Sequence, residues 1–313
     1  MRLNCFLLFA ALLQCAAAQS RIAAPALGYA YDPSLRAIRS IRGLPGAALL
    51  AEPLEIGLNA SVAAVSPSQD FALAISTETQ AVHVIRWSDG ITSTVLLDGT
   101  AAPDGVIFSA SGRSAILFDS ASARLQVLTG LPGAPLLRDL PFSADRAADA
   151  LAVAEDGTAA ISTGDSVRII GPDFNSFSLP LPSVVILAFD RSTRDLLAVT
   201  RSGEIYVAKN VDAGLDLRRI DAPTGAMTDP VGAQFSADGY SALVASAAGA
   251  TAIDLNTGSA RVFTCPCAPT ALQPFGRAGL YRLTDVSDRP LFLFDADRAR
   301  FWFVPVDSGR SAQ

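Results

Sequence analysis

Ala64-Val65-Ser66-Pro67-Ser68-Gln69-Asp70-Phe71-Ala72-Leu73-Ala74-Ile75 decides the fold of this chain. An apolar pair leads into a polar turn, and the turn leads into a run of apolar residues whose sizes alternate. Successive side chains of a strand face opposite sides, so Phe71, Leu73 and Ile75 point one way and Ala72 and Ala74 the other. Apolar residues on both sides predict a sheet covered on both faces. The unit returns as Ile107-Phe108-Ser109-Ala110-Ser111-Gly112-Arg113-Ser114-Ala115-Ile116-Leu117 and as Leu151 to Ile161. It recurs around Phe189-Asp190, from Phe235 to Val244 and, in weaker form, from Leu272 to Leu283. The copies are spaced by 35 to 47 residues.

A second hairpin follows each copy. Its first strand reads Val82-His83-Val84-Ile85, Leu125-Gln126-Val127-Leu128, Val167-Arg168-Ile169-Ile170, Ile205-Tyr206-Val207-Ala208, Ala252-Ile253-Asp254 and Leu291-Phe292-Leu293-Phe294-Asp295. Gly28-Tyr29-Ala30-Tyr31-Asp32 is assigned to the same set, which makes seven outer hairpins against six inner ones. Strand-built repeats of this length are the signature of propeller blades, and a ring of blades covers both faces of each sheet and leaves few open edges. Asp156-Gly157, Asp238-Gly239 and Ser111-Gly112 supply the positive φ that tight hairpin turns need. The chain is therefore expected to be an all-β propeller of four-stranded antiparallel blades. A signal peptide over 1–18 precedes one domain over 19–313, with a partial blade over 19–58, six repeats over 59–307 and a tail over 308–313. Seven blades are favoured and six remain open, according to whether Leu27 to Ile56 builds a blade of its own.

These repeats, with the apolar-Asp strand end of Ile253-Asp254-Leu255-Asn256-Thr257-Gly258, resemble bacterial YVTN-type and Trp-Asp-repeat-like propellers over nearly all of the mature chain. The two tryptophans, Trp87 and Trp302, are not in Trp-Asp dipeptides. The resemblance implies a fold; the superfamily's functions range from scaffolds and ligand binders to lactonases and quinoproteins.

Arg2, the apolar run Phe6 to Leu13 and the small residues Ala16-Ala17-Ala18 form a secretory signal, with Gln19 the first mature residue. The run is too short to cross a bilayer. Lipidation at Cys15 is less favoured than soluble export to the periplasm or beyond, because Gln14 replaces the small residue that a lipobox wants. Loss of Arg2 leaves 30 acidic against 23 basic residues, a balance that argues against nucleic acid or anionic membrane as partner. The expected partner is a protein or a cell-envelope ligand. Cys265 and Cys267 remain after cleavage, and an oxidising compartment favours a disulfide between them. Free thiols are the alternative.

The inventory of reactive groups is poor. His83 is the only histidine, and it sits in a strand without a Gly-x-Ser-x-Gly elbow. There is no Walker loop, dinucleotide fingerprint or calcium-loop motif. Asp32, Asp254 and Asp295 are expected at equivalent strand ends on one rim, each before an arginine (Arg36, Arg261, Arg298). They are read as turn formers, as are Asp156, Asp190 and Asp238. The aromatic cluster Phe292, Phe294, Phe301, Trp302 and Phe303 is read as ring-closing core with one exposed edge; alternation sets Trp302 apart, which makes it the candidate if any of these is a surface contact. The catalytic residues are unassigned, and no cofactor or metal is called for. The reading is a non-catalytic exported binding or scaffold propeller. The alternative is a hydrolase or lactonase with a central calcium held by Asp and Asn, since calcium takes oxygen ligands.

Overall fold

The structure, a computed structural model, describes residues 25–306 apart from 89–90, 143–146, 212–215, 224–226 and 288. The signal peptide, Cys15 and the tail expected over 308–313 lie outside these residues. The described strands pair into seven antiparallel sheets. The first contains β1 (Ala26–Asp32), β2 (Ala37–Leu44) and β3 (Ala47–Pro53), and the second β4 (Ala60–Val65), β5 (Phe71–Ser76), β6 (Val82–Ser88) and β7 (Ile91–Leu97). The third contains β8 (Gly105–Phe108), β9 (Ala115–Asp119), β10 (Arg124–Thr129) and β11 (Leu136–Asp139). Next come β12 (Ala150–Val153), β13 (Ala159–Thr163), β14 (Ser166–Ile170) and β15 (Ser176–Leu179), then β16 (Val184–Phe189), β17 (Leu196–Thr200), β18 (Ile205–Lys209) and β19 (Asp216–Ile220). The last two sheets are β20 (Gly232–Phe235), β21 (Ser241–Ser246), β22 (Gly249–Asp254) and β23 (Ala260–Thr264), and β24 (Gln273–Pro274), β25 (Leu280–Arg282), β26 (Leu291–Asp295) and β27 (Arg300–Val304).

Strands lie side by side in sequence order within each sheet. The first strands β4, β8, β12, β16 and β20 pack on one another around a common axis, and β27 meets β3 to close the ring. The chain is a seven-bladed β-propeller, the first blade three-stranded among the described residues. Seven apolar clusters fill the spaces between blades, one at each interface. The alternation of the opening stretch places its residues as expected. Phe71, Leu73 and Ile75 pack towards the third sheet, while Ala72 and Ala74 face the first, where Tyr29 and Tyr31 bring the bulk. Second strands such as β5 and β17 are wholly buried, and the fourth strands are mostly exposed. Gly157 (φ 89°) and Gly239 (φ 73°) take the left-handed turn conformation read from the sequence.

One assignment is corrected. Gly28 to Asp32 does not begin an outer hairpin. The Tyr29 N–H donates to Gln69 Oε1 (2.6 Å), in the turn after β4, while the Tyr31 hydroxyl donates to Ala60 O (3.0 Å), where β4 begins. β1 therefore runs antiparallel to the first strand beside it and takes the direction of a second strand. The burial of β2 resembles that of the third strands, and β3 meets β27 at the outer edge. β1, β2 and β3 thus occupy the second, third and fourth positions of their blade. Among the described residues, no strand lies inside β1.

The acidic rim is corrected with it. Asp254 and Asp295 end third strands, on the face that carries the first turns: Leu255 N–H donates to Tyr240 O (2.9 Å) and Asp295 pairs with Arg277. Asp32 ends a second-position strand and lies on the opposite face. Its partner is Arg39 (3.2 Å), not Arg36.

Candidate binding site on the propeller axis

The displacement of β1 leaves a cavity of about 550 Å³ along the axis, within the range of small-molecule sites. β1, β4, β8 and β24 wall it, with Phe118 of β9 and Arg282 of β25 reaching in. Most of the wall is apolar: Val62, Val65, Val106, Ile107 and Phe275 among others. Tyr29, Tyr31, Gln69, Gln234, Gln273 and Arg282 provide the polar groups.

Gln69 organises one mouth of the cavity. It stands at φ 65° in a turn where three other repeats place Gly112, Gly157 and Gly239. A left-handed conformation costs a non-glycine residue energy, and local bonds offset it here. The Gln69 amide accepts from Tyr29 N–H and donates to Ser66 O (3.2 Å), and its carbonyl accepts from Trp87 Nε1 (2.9 Å). The Trp87 ring lies 4.5 Å from that of Tyr29, centroid to centroid. Burial raises the pKa of both tyrosine hydroxyls, against a smaller lowering by Arg42 at Tyr29 and by Arg36 at Tyr31, so both stay protonated donors at neutral pH.

Arg282 guards the other mouth. Its guanidinium bonds to Asp285 (2.9 Å) and to Gln273 Oε1. Burial lowers its pKa, which Asp285 partly offsets. An arginine remains charged under such a shift.

The carboxylates singled out from the sequence act elsewhere. Asp190 accepts from the N–H and hydroxyl groups of both Ser192 and Thr193 at 2.7–3.0 Å. Burial alone would raise its pKa; these bonds outweigh burial and hold it below the usual range. Asp254 accepts from the Asn256 and Thr257 N–H groups (2.9 and 2.8 Å), and Asp238 from Tyr240 N–H (3.0 Å). Asp156 accepts from Thr158 N–H (3.0 Å) and pairs with Arg194 (2.8 Å). Asp295, fully buried, binds Arg277 and Arg298. Arg261 instead lies over the Phe263 ring, 4.9 Å from its centroid. His83 lies on a groove between the first two blades, not on the axis.

Trp302, the candidate contact, is half-buried. It packs into the seam between β27 and the first blade, where a Cβ on Gly46 would lie 2.7 Å from its ring, and its buried indole Nε1 has no hydrogen-bond partner among the described residues. Phe303 is the exposed aromatic, at 60 %. Alternation settles the side a residue takes, but its depth depends on what the next blade offers there. Phe301 stacks on Phe294, 4.8 Å between centroids.

The sulfurs of Cys265 and Cys267 are bonded, with Cα atoms 5.0 Å apart, in the connection between β23 and β24. Alkylation mass spectrometry of exported protein is expected to label these thiols only after reduction. So short a loop constrains little, and reduction is expected to remove about 2 kcal/mol at most. Labelling without reduction would refute the bridge.

Reading single residues from the sequence missed Tyr29, Tyr31, Gln69 and Arg282. The available signal was Gln69, a non-glycine residue where three other repeats carry glycine.

No described protein family and no curated protein matches this chain. Solved structures do. A functionally unknown protein from Desulfotomaculum acetoxidans DSM 771 is 14 % identical, with a TM-score of 0.63, over 90 % of this chain and 100 % of that one. A streptogramin B lyase is 15 % identical with a TM-score of 0.60, over 82 % of this chain and 87 % of that one. The virginiamycin B lyase of Staphylococcus aureus is 16 % identical with a TM-score of 0.56, over 78 % and 83 %. At this identity the likeness is one of fold.

Proposed function

We propose that this chain is an exported, non-catalytic binding propeller of YVTN-like type whose protein or envelope ligand enters the axial cavity beside β1. The observation that carries the reading is the cavity itself, where one blade departs from the repeat and places hydroxyls, amides and aromatic faces around an apolar space. These are groups that orient a ligand. Catalysis of the lyase kind has less support: a catalytically inactive His-to-Ala variant is among the matched lyase structures, and the one histidine here is off the axis. A calcium-dependent hydrolase needs several converging carboxylates, while among the described residues the lining offers Asp285 alone, engaged by Arg282. Millimolar calcium is accordingly expected to leave Tm unchanged in a thermal melt, and a calcium-dependent rise would return the hydrolase reading.

The test is native mass spectrometry of the exported protein after incubation with fractionated envelope extract. Wild type should retain an adduct that Ala64→Trp, which fills the cavity, does not. Equal adducts on both proteins would move the site off the axis, and consumption of the adduct would make the protein an enzyme.

A further inference from the structure

In the other six blades, the place inside the second strand is taken by a first strand, four residues long in β8, β12 and β20, which is about 13 Å of extended chain. At the first blade this place belongs to the cavity, and the inner edge of β1 faces it. Antiparallel partners either exchange hydrogen bonds or both turn their peptide groups away. Ile38, opposite Tyr31, turns outward, since its carbonyl accepts from Leu54 N–H (2.8 Å) just past β3. Tyr31 and, two residues back, Tyr29 therefore direct their peptide groups at the cavity. The Tyr29 N–H meets the side-chain amide oxygen of Gln69, where the carbonyl of an added strand would stand. Gln69 holds that position from a backbone conformation that favours glycine.

We infer that the ligand is an extended peptide segment of a partner protein that adds to β1 as the inner strand of the first blade. This rests on the axial-binding reading and narrows it to β-strand addition, in which backbone bonds supply affinity and alternate side chains specificity. The occupant carries small aliphatic residues, like Ala150-Leu151-Ala152-Val153 of β12, because the walls offered by Val62, Val65 and Phe118 are apolar. Residues 307–313 read Asp-Ser-Gly-Arg-Ser-Ala-Gln, unlike aliphatic first strands such as β12.

The probe is a fluorescent, end-blocked peptide of residues 149–154 (Asp-Ala-Leu-Ala-Val-Ala), measured by polarisation against the whole mature protein. A second peptide has the same side chains but N-methyl groups at alternate residues. Saturable binding, weakened about tenfold or more by N-methylation, with slowed hydrogen exchange at Tyr31 N–H, is the expected result. Gln69→Gly, which suits the turn and uncovers Tyr29 N–H, should tighten binding about threefold. Equal binding of the two peptides would overturn strand addition. Absence of peptide binding, with the envelope adduct still retained, would overturn the peptide and spare the axial site; loss of both would remove both readings. Peptide binding that appears only after deletion of residues 307–313 would assign the slot to the chain's own tail and overturn the partner.

Discussion

Phe71→Ala is expected to lower the unfolding free energy by about 3–5 kcal/mol, the cost of removing a large aromatic side chain from a packed core. Phe71 is 1 % exposed and makes an edge-to-face contact with Phe108 of the next blade, 5.6 Å between centroids at 88°. Burial and the ring pair are both lost in alanine, and the strands on either side limit collapse into the gap. The loss falls at an interface between two blades. A ring has no free end where one blade can leave alone, so the whole domain should melt earlier in one transition. Urea unfolding followed by tryptophan fluorescence measures this, and a change below about 1 kcal/mol would show that the interface is not packed as described. The neighbouring Ala72→Leu should also destabilise, by about 1–3 kcal/mol, because Ala72 is fully buried against the first blade.

Asp190→Ala is expected to cost about 1–2 kcal/mol, through the charge-assisted bonds lost from two backbone N–H groups in a turn whose other residues are exposed to water. Asp190→Asn keeps one oxygen and should cost less. The same carboxylate makes stability depend on acid. Its folded pKa lies below the ordinary 3.8, as do those of Asp32 and Asp295, where burial is likewise outweighed, by bonds from Ser34 and Arg39 and from Arg298. A lowered folded pKa stabilises the native state above the unfolded value and loses that contribution as pH falls through the folded value. Tm should therefore hold from pH 7 to about 5 and fall steeply below about 4, and Asp190→Asn should flatten part of that fall. A fall that begins near pH 6 would point to another group.

Much of the architecture was legible because it is local. A two-residue period with apolar residues on both faces, and turns that require positive φ, are properties of a dozen residues at a time. Their repetition carried the blade plan and even the division of Phe71, Leu73 and Ile75 from Ala72 and Ala74. The turn-forming role of Asp190, Asp238 and Asp254 was legible for the same reason: an aspartate binds the N–H groups two and three residues on.

The axial site was not legible. An alternating strand carries no mark of which edge it pairs on, so Gly28 to Asp32 read equally well as a second or a third strand. Its place depends on ring closure: β3 meets β27, Leu27 reaches the turn after β24, and Tyr31 reaches Ala60. Trp302 teaches the same lesson, its side given by alternation and its depth by the seam it fills. By itself, then, the sequence determined repeats, turns and strand faces, since these arise from neighbours in the chain. Only the tertiary structure decided the slot of β1, the cavity inside it and the bond from Tyr29 to Gln69, because these depend on how whole blades meet one another around the ring.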